Sequence, residues 1–525
     1  MEEITYETGY KKWIIAITVV LCTLLELIDT TVVNVALNQL MGNLGATLSE
    51  VSWVVAAYSI ANIIVVPMSG WFSIQFGRRK YFTGSVILFT IASFLCGNST
   101  NIWELIFFRF VQGIGGGALM ATSQSILYET FPPNQRGIGQ ALFGMGVILG
   151  PTFGPTLGGY IIDNYDWPII FYVNIPLGIA ATFLSYTFIK EIKYNVKKQA
   201  MSDVDWLGMF LLILGIGSLQ LVLEQGESKD WFDSDLITLG VVAAIVGVVG
   251  FIWRELTYEY PIVNLRIMKN PNTAFGTFLT FIVGFGLFAM VFTIPVFAQG
   301  TLGYTALQTG KLFMPGALLT GFSMPLIGAL ISKGTPPKYL SMAGFSFTII
   351  FLLWMMQLVT PTTSDSDMFY PLMFRGLGLG LCMIPIMTYS MTGLSGAEIP
   401  QATGFTSMMR QLGGALGVAV VSSFLTNRVQ IHRGDLAGYI TATNPLATER
   451  IMAYTQNFKA KGFSPEIAQQ KAYKIMDMVM MKQAFLLSFK DLFLFVSIFF
   501  ILCLPLILFM KNSGSTGAKP VTDAH

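Results

Sequence analysis

The sequence predicts an all-α polytopic membrane protein with fourteen transmembrane helices in a six, two, six order and both termini cytoplasmic. Three observations predict it. Of 525 residues, 53% are hydrophobic and 11% are charged, whereas an ordinary globular domain is about 25% charged. Apolar stretches long enough to cross a bilayer recur along almost the whole chain. Lysines and arginines gather in alternate connections between those stretches, as the positive-inside rule requires.

The first stretch, 13–37, follows Lys11 and Lys12 but contains Glu26 and Asp29 and lacks a small-residue cleavage site. It reads as a retained span, not a signal peptide. The second, 51–72, leads into the basic turn Arg78, Arg79 and Lys80, and 82–98 and 104–127 follow. Arg136 precedes 137–162, and 167–189 runs into Lys190, Lys193, Lys197 and Lys198. The pair 206–223 and 236–253 is joined by the acidic loop "EQGESKDWFDSD". Arg254, Arg266 and Lys269 stand before 272–298, and Lys333 and Lys338 separate 307–331 from 338–358. Asp365 and Asp367 open the connection to 368–393; 402–425 and 487–510 complete the set before Lys511. The alternation requires an even number of spans. The loop 426–486 breaks it with eight Lys or Arg, but long loops translocate largely regardless of charge.

Cys22, Cys96, Cys382 and Cys503 all fall in spans without metal-binding or CxxC spacing, so they read as packing residues and no cofactor or metal is expected. The net charge of +2 says nothing of nucleic acid. A membrane-embedded enzyme is disfavoured: there is no HExxH, GxSxG or Walker A pattern, and the two histidines are His432, in the long loop, and His525. The end, 511–525, reads as a disordered tail.

The chain repeats itself. "PNQRGIGQALFGMGVILG" places Pro133, Gly137, Gly146 and Gly150 at the spacings of Pro400, Gly404, Gly413 and Gly417 in "PQATGFTSMMRQLGGALG". "VQGIGGG" from Val111 is echoed by "FRGLGLG" from Phe374. Two echoes in one order point to duplication, giving a bundle over 13–189, an inserted pair over 206–253 and a second bundle over 272–510. Parallel repeats about an axis along the membrane normal are a plan of membrane transporters.

Four motifs then carry a resemblance. "LIDTTVVNVAL" (27–37), "GWFSIQFGRRK" (70–80), "RFVQGIGGG" (109–117) and "GPTFGPTLGG" (150–159) resemble the signatures of the fourteen-span drug:proton antiporter branch of the major facilitator superfamily. The resemblance implies the major facilitator fold and proton-coupled export of hydrophobic or amphipathic compounds by alternating access. Within the branch the chain is similar to bacterial inner-membrane pumps that work with a periplasmic membrane-fusion adaptor and an outer-membrane channel. Export of one endogenous metabolite, such as a fatty acid, bile salt or siderophore, is the alternative. In the family, Gly70, Gly77, Arg78 and Arg79 belong to a gating turn whose fifth position carries an acid; here that position is Ile74.

Glycines and prolines in "GPTFGPTLGG" cost helix stability in water. In lipid, small residues let backbones approach, and neighbouring helices satisfy the groups that proline frees. Gly150, Gly154 and Gly158, four residues apart and followed by Gly159, form a ridge expected to pack against the opposite bundle, with Pro155 as its bend. A packing face with no role in gating is the plainer reading.

Ionisable residues inside spans are costly and mark functional sites. Asp29 shares a helix face with Glu26, and Arg109 should lie at a similar depth in the fourth span. A carboxylate in low dielectric keeps its proton until a guanidinium approaches, so a cycle bringing Arg109 near and away would load and unload Asp29. A fixed pair bracing two helices is the alternative, and Glu26 reads equally as a proton site or a cavity wall. Asn34, Gln112, Arg375 and Arg410 are candidate substrate-cavity residues, the two arginines reading also as helix braces. In the long loop, Ser464, Pro465 and Glu466 signal a helix start. That helix should run into the last span, with a partner over 445–460, either capping the bundle or docking an adaptor.

Overall fold

A computed structural model describes residues 9–191, 203–394 and 396–510. The expected tail 511–525 and Lys193, Lys197 and Lys198 lie outside the described residues. Among the described residues there are sixteen α-helices, and fifteen of them make up fourteen segments long and apolar enough to cross a membrane. The first group is α1 (Lys11–Leu44), α2 (Leu48–Phe76), α3 (Arg78–Gly97), α4 (Ile102–Thr130) and α5 (Arg136–Asn164), then a span broken at Val173 into α6 (Ile169–Tyr172) and α7 (Asn174–Phe188). A pair follows, α8 (Trp206–Gln225) and α9 (Asp235–Thr257). The last group is α10 (Pro271–Gly300), α11 (Ala306–Ser332), α12 (Pro337–Leu358), α13 (Asp365–Ser390), α14 (Glu398–Ala437), α15 (Pro445–Ala460) and α16 (Pro465–Cys503).

Local chemistry sets these limits. Thr47 and Thr305 begin α2 and α11 with reciprocal capping boxes to Glu50 and Gln308, each supplying partners for otherwise orphaned backbone donors. Gly45 ends α1 in the left-handed conformation at φ 61°, where a side chain would be strained. Pro151 and Pro155 remain inside α5, which runs on through both.

The long loop is helical, as expected. Ser464 caps α16, its hydroxyl accepting from the Ile467 amide, and α15 spans 445–460. At 40 and 39 residues, α14 and α16 are each about 60 Å long, twice the hydrocarbon thickness. That length exceeds what a single crossing needs, and α15 packs against α16. On the packing face, Ala468 and Ala472 are fully buried, while Ile467 and Val479 are exposed. Close approach of α15 selects the small side chains.

The two groups meet along α5 with α11 and along α2 with α14. Gly70 lies against the Pro400 carbonyl, 2.7 Å from where a Cβ would stand, and Gly404 against that of Val66 at 2.9 Å. Gly137 and Gly328 each place a would-be Cβ 2.5 Å from the other's carbonyl oxygen. At the end where α1 begins, Ile15, Ala16 and Val19 share one buried cluster with Met324, Met383, Ile384 and Met387. At the other end, Val32, Val33 and Ala36 belong to a cluster drawn from the first group alone. The seam between the groups is therefore sealed at the α1-start end.

The glycine ridge faces elsewhere than expected. A Cβ on Gly150 would meet Leu27, one on Gly154 the Thr31 hydroxyl and one on Gly158 the side chain of Val32. All three neighbours are on α1, in the same group, so the ridge does not pack against the opposite bundle. The repeat explains why. Gly146 and Gly150 rest on Thr23 and Leu27 of α1 as Gly413 and Gly417 rest on Phe281 and Phe285 of α10. Gly137 and Gly404, one repeat apart, cross to the second helix of the other group, α11 and α2. Within each copy, the first glycine serves the seam and the later two serve the bundle.

Candidate functional site

Asp29 and Arg109 are brought together. Arg109 NH1 donates to Asp29 Oδ2 at 2.6 Å, and both side chains are fully buried. Asp29 Oδ1 accepts from Gln112 Nε2 at 2.9 Å and from Asn174 Nδ2 at 2.6 Å. Gln112 also accepts from Arg109 NH1 at 2.7 Å and donates to Ser93 Oγ at 2.7 Å. The guanidinium lies over the Tyr58 ring, 4.1 Å from its centroid, and Nε reaches the Val54 carbonyl at 3.3 Å. A buried ion pair is tolerable only when its remaining donors and acceptors are met, and this network meets most of them. Gly113 makes it possible: its missing side chain admits the Tyr58 carbonyl at 2.5 Å, holding α2 against α4.

Gln112 is fully buried within this network. Ordering the ion pair in apolar surroundings takes up both ends of its amide. The sequence reading missed Asn174 and Ser93. Asn174 follows the break at Val173, well inside the span expected over 167–189.

Glu26 lies one turn before Asp29 and is also buried. Its Oε1 accepts from Asn62 Nδ2 at 2.9 Å and from Tyr58 at 3.4 Å. Asn62 in turn accepts from Gln411 Nε2 on α14 at 3.0 Å, so Glu26 is one residue removed from the other group. Arg410 is 1% exposed; its NH2 donates to Ser407 at 3.4 Å, and its guanidinium faces Phe143 of α5 at 5.6 Å. Ser407 donates to Gln124 at 3.0 Å, and Gln124 to Gln140 at 3.4 Å. Arg375 is buried over the Phe313 ring at 5.1 Å. Asn34 is exposed. The structure thus does not gather Asn34, Gln112, Arg375 and Arg410 into one group.

At the sealed end, Gly77 turns the chain between α2 and α3 at φ 94°, a conformation that strains any side chain. Arg78 is buried and donates to Glu129 at 2.7 Å and to the Lys190 carbonyl at 3.1 Å. Glu129 lies at the end of α4, so the pair ties the turn to that helix. Arg79 stacks on Tyr186 at 5.4 Å.

The model of the Major Facilitator Superfamily matches residues 19–418. The multidrug export protein EmrB of Escherichia coli K12 is 31% identical over 509 residues, spanning 97% of each chain. The fatty acid resistance protein FarB of Neisseria gonorrhoeae is 32% identical, over 95% of this chain and 96% of its own. The colistin resistance protein EmrB of Acinetobacter baumannii is 29% identical over 95% and 96%. Among solved structures, the human organic anion transporter MFSD10 covers 93% of this chain and 99% of its own, with a TM-score of 0.55 at 14% identity. The chain belongs to the major facilitator superfamily and is a multi-pass membrane transporter, not an enzyme.

Proposed function

For this member of the superfamily we propose proton-coupled export of hydrophobic and amphipathic compounds by alternating access, from a bacterial inner membrane with both termini cytoplasmic. The observation that carries the reading is the buried Asp29–Arg109 pair with its Gln112, Asn174 and Ser93 partners. Such a costly group in a span is a functional site by default, and one carboxylate beside one guanidinium is a minimal proton-exchange centre. Similarity to proteins named for multidrug export supports the drug-exporting part. In this reading 13–189 and 272–510 are the two rocking bundles and 206–253 an inserted pair. Gly70, Gly77, Arg78, Arg79, Gly137 and Gly328 form the inner gate, and Gly150, Gly154, Pro155, Gly158 and Gly159 hold α5 to α1. Asn34, Arg375 and Arg410 meet substrate at different stages. The tower of α14, α15 and α16 is the docking platform for a periplasmic adaptor and, through it, an outer-membrane channel.

A second reading, export of a single endogenous amphiphile, is favoured by the similarity to FarB. One experiment separates the readings. Purified protein in liposomes with an imposed pH gradient is offered lipophilic cations, weak acids and fatty acids. Exchange of several classes for protons is the expected result; exchange of one class selects the second reading, and no gradient-driven exchange refutes both.

A further inference from the structure

The Asp29–Arg109 pair has one property that limits what it does. All its members, Asp29 on α1, Ser93 on α3, Arg109 and Gln112 on α4 and Asn174 on α7, sit in the first six spans. Rocking of two rigid groups leaves such a network whole. A carboxylate that reads the conformational state needs its partner on the other side of the seam.

Glu26 has one. Arg410 is buried on α14 with Nε and NH1 lacking any hydrogen-bond partner among the described residues, and Glu26 Oε2 is orphaned in the same way. The two side chains make no direct hydrogen bond with each other: Arg410 NH2 is held by Ser407, and Glu26 Oε1 by Asn62 and Tyr58. The neighbouring residue, Gln411, reaches the Asn62 amide that holds Glu26 from the opposite side. The seam around them is closed by Gly404 against Val66 and by Ser407 against Gln124. The charged or titratable groups acting on Glu26 are Asp29 on its own helix, Tyr58 on α2 and Arg410 on α14. Arg109 on α4 faces Tyr58.

We propose that Glu26 and Arg410 form a charge pair across the seam that locks the α1-start end while Glu26 is ionised and frees it when Glu26 takes a proton. The inference rests on the proton-coupled reading above and names the residues that tie proton occupancy to conformation. Ionised Glu26 attracts Arg410 through a low-dielectric interior, where a buried ion pair acts strongly. A proton arriving from the open end removes that attraction, and the two groups part. Separation of an ionised Glu26 would leave two buried, uncompensated charges, a state of high cost. The seam therefore opens with the proton aboard and closes once it has left.

The test uses spin labels at Lys80→Cys on α3 and Lys333→Cys beyond α11, both exposed near the sealed end. The four native cysteines are buried. Full-length protein in lipid nanodiscs is measured by double electron–electron resonance from pH 8.5 to 5.5. A one-proton lock shifts the ratio of open to closed distances by up to about tenfold per pH unit, with the open population growing as pH falls. Glu26→Gln, which preserves the acceptor for Asn62, should sit open at every pH with less than about a twofold change. Arg410→Gln should do the same. Wild-type titration in Glu26→Gln, or no titration in the unmutated protein, overturns the proposal. Failure of proton-coupled export is read separately, as absence of gradient-driven exchange by unmutated protein in liposomes.

Discussion

Pairing between Asp29 and Arg109 can be measured by a double-mutant cycle. Breaking a buried pair by removing one partner costs about 3–5 kcal/mol, because the other charge stays behind. Arg109→Gln leaves Asp29 with two donors, Gln112 at 2.9 Å and Asn174 at 2.6 Å, so its cost belongs at the low end, about 3 kcal/mol. Asp29→Asn turns an amide donor towards either Arg109 or the Asn174 amide. It leaves the guanidinium with Gln112, the Val54 carbonyl and the Tyr58 ring, a loss of about 3–4 kcal/mol. The double variant holds two neutral amides able to bond each other, so its loss should fall short of the sum by at least about 2 kcal/mol. Unfolding in mixed micelles measures all four proteins. Losses that add to within about 0.5 kcal/mol refute the pairing. Gradient-driven exchange in liposomes then decides its use: stability should return in the double variant while exchange does not. Exchange returning with stability would make the pair a brace.

At the seam, Gly137→Leu or Gly328→Leu drives a side chain into a facing carbonyl and should reduce export at least tenfold with normal membrane abundance; full export would remove the contact from the gate. Gly154→Leu strikes Thr31 within one group, so it should lower thermal stability at least as much as export, and unchanged stability would refute that placement. Arg78→Ala leaves Glu129 buried without its cation at the sealed end, which should raise the open population in the distance measurement, and an unshifted distribution excludes a latching role. Replacing 436–480 with a short Gly/Ser linker should preserve exchange in liposomes and abolish adaptor capture; loss of exchange in liposomes makes the tower part of the transport machinery.

The sequence was most legible where a single physical demand dominates. The membrane's need for internally bonded apolar segments made all fourteen spans visible, and the Ser464–Pro465 cap exposed α16 before its apolar stretch began. Boundaries slipped where helices leave the bilayer: α14 extends to Ala437 and α16 starts at Pro465, because helical pairing continues after hydropathy falls. In the site, Asp29 and Arg109 were visible as charges out of place. Asn174 and Ser93 were not, since neutral polar residues are common in spans and only three-dimensional proximity marks them. The glycine ridge was legible as a close contact, but which neighbour it approached was not. Periodicity gives a face and not the helix opposite it.

The duplication also shows where symmetry stops. The contacts that set Thr23 and Leu27 against α5 and Phe281 and Phe285 against α14 put Gly284 and Leu287 of α10 in the places of Glu26 and Asp29. The aligned glycine motifs put Arg375 in the place of Gln112, and the Pro133 and Pro400 copies put Arg410 in the place of Phe143. Arg410 faces that same Phe143 across the seam. One copy holds the buried acids, with Arg109 to balance one of them; the other holds Arg375 and Arg410, at the positions of Gln112 and Phe143. Equal frames give two rigid bodies able to rock about a shared axis, but a symmetric charge distribution would favour neither end. With the acids on one body and the surplus cations on the other, a proton changes the attraction between the bodies themselves, and it does so at the surface where they part.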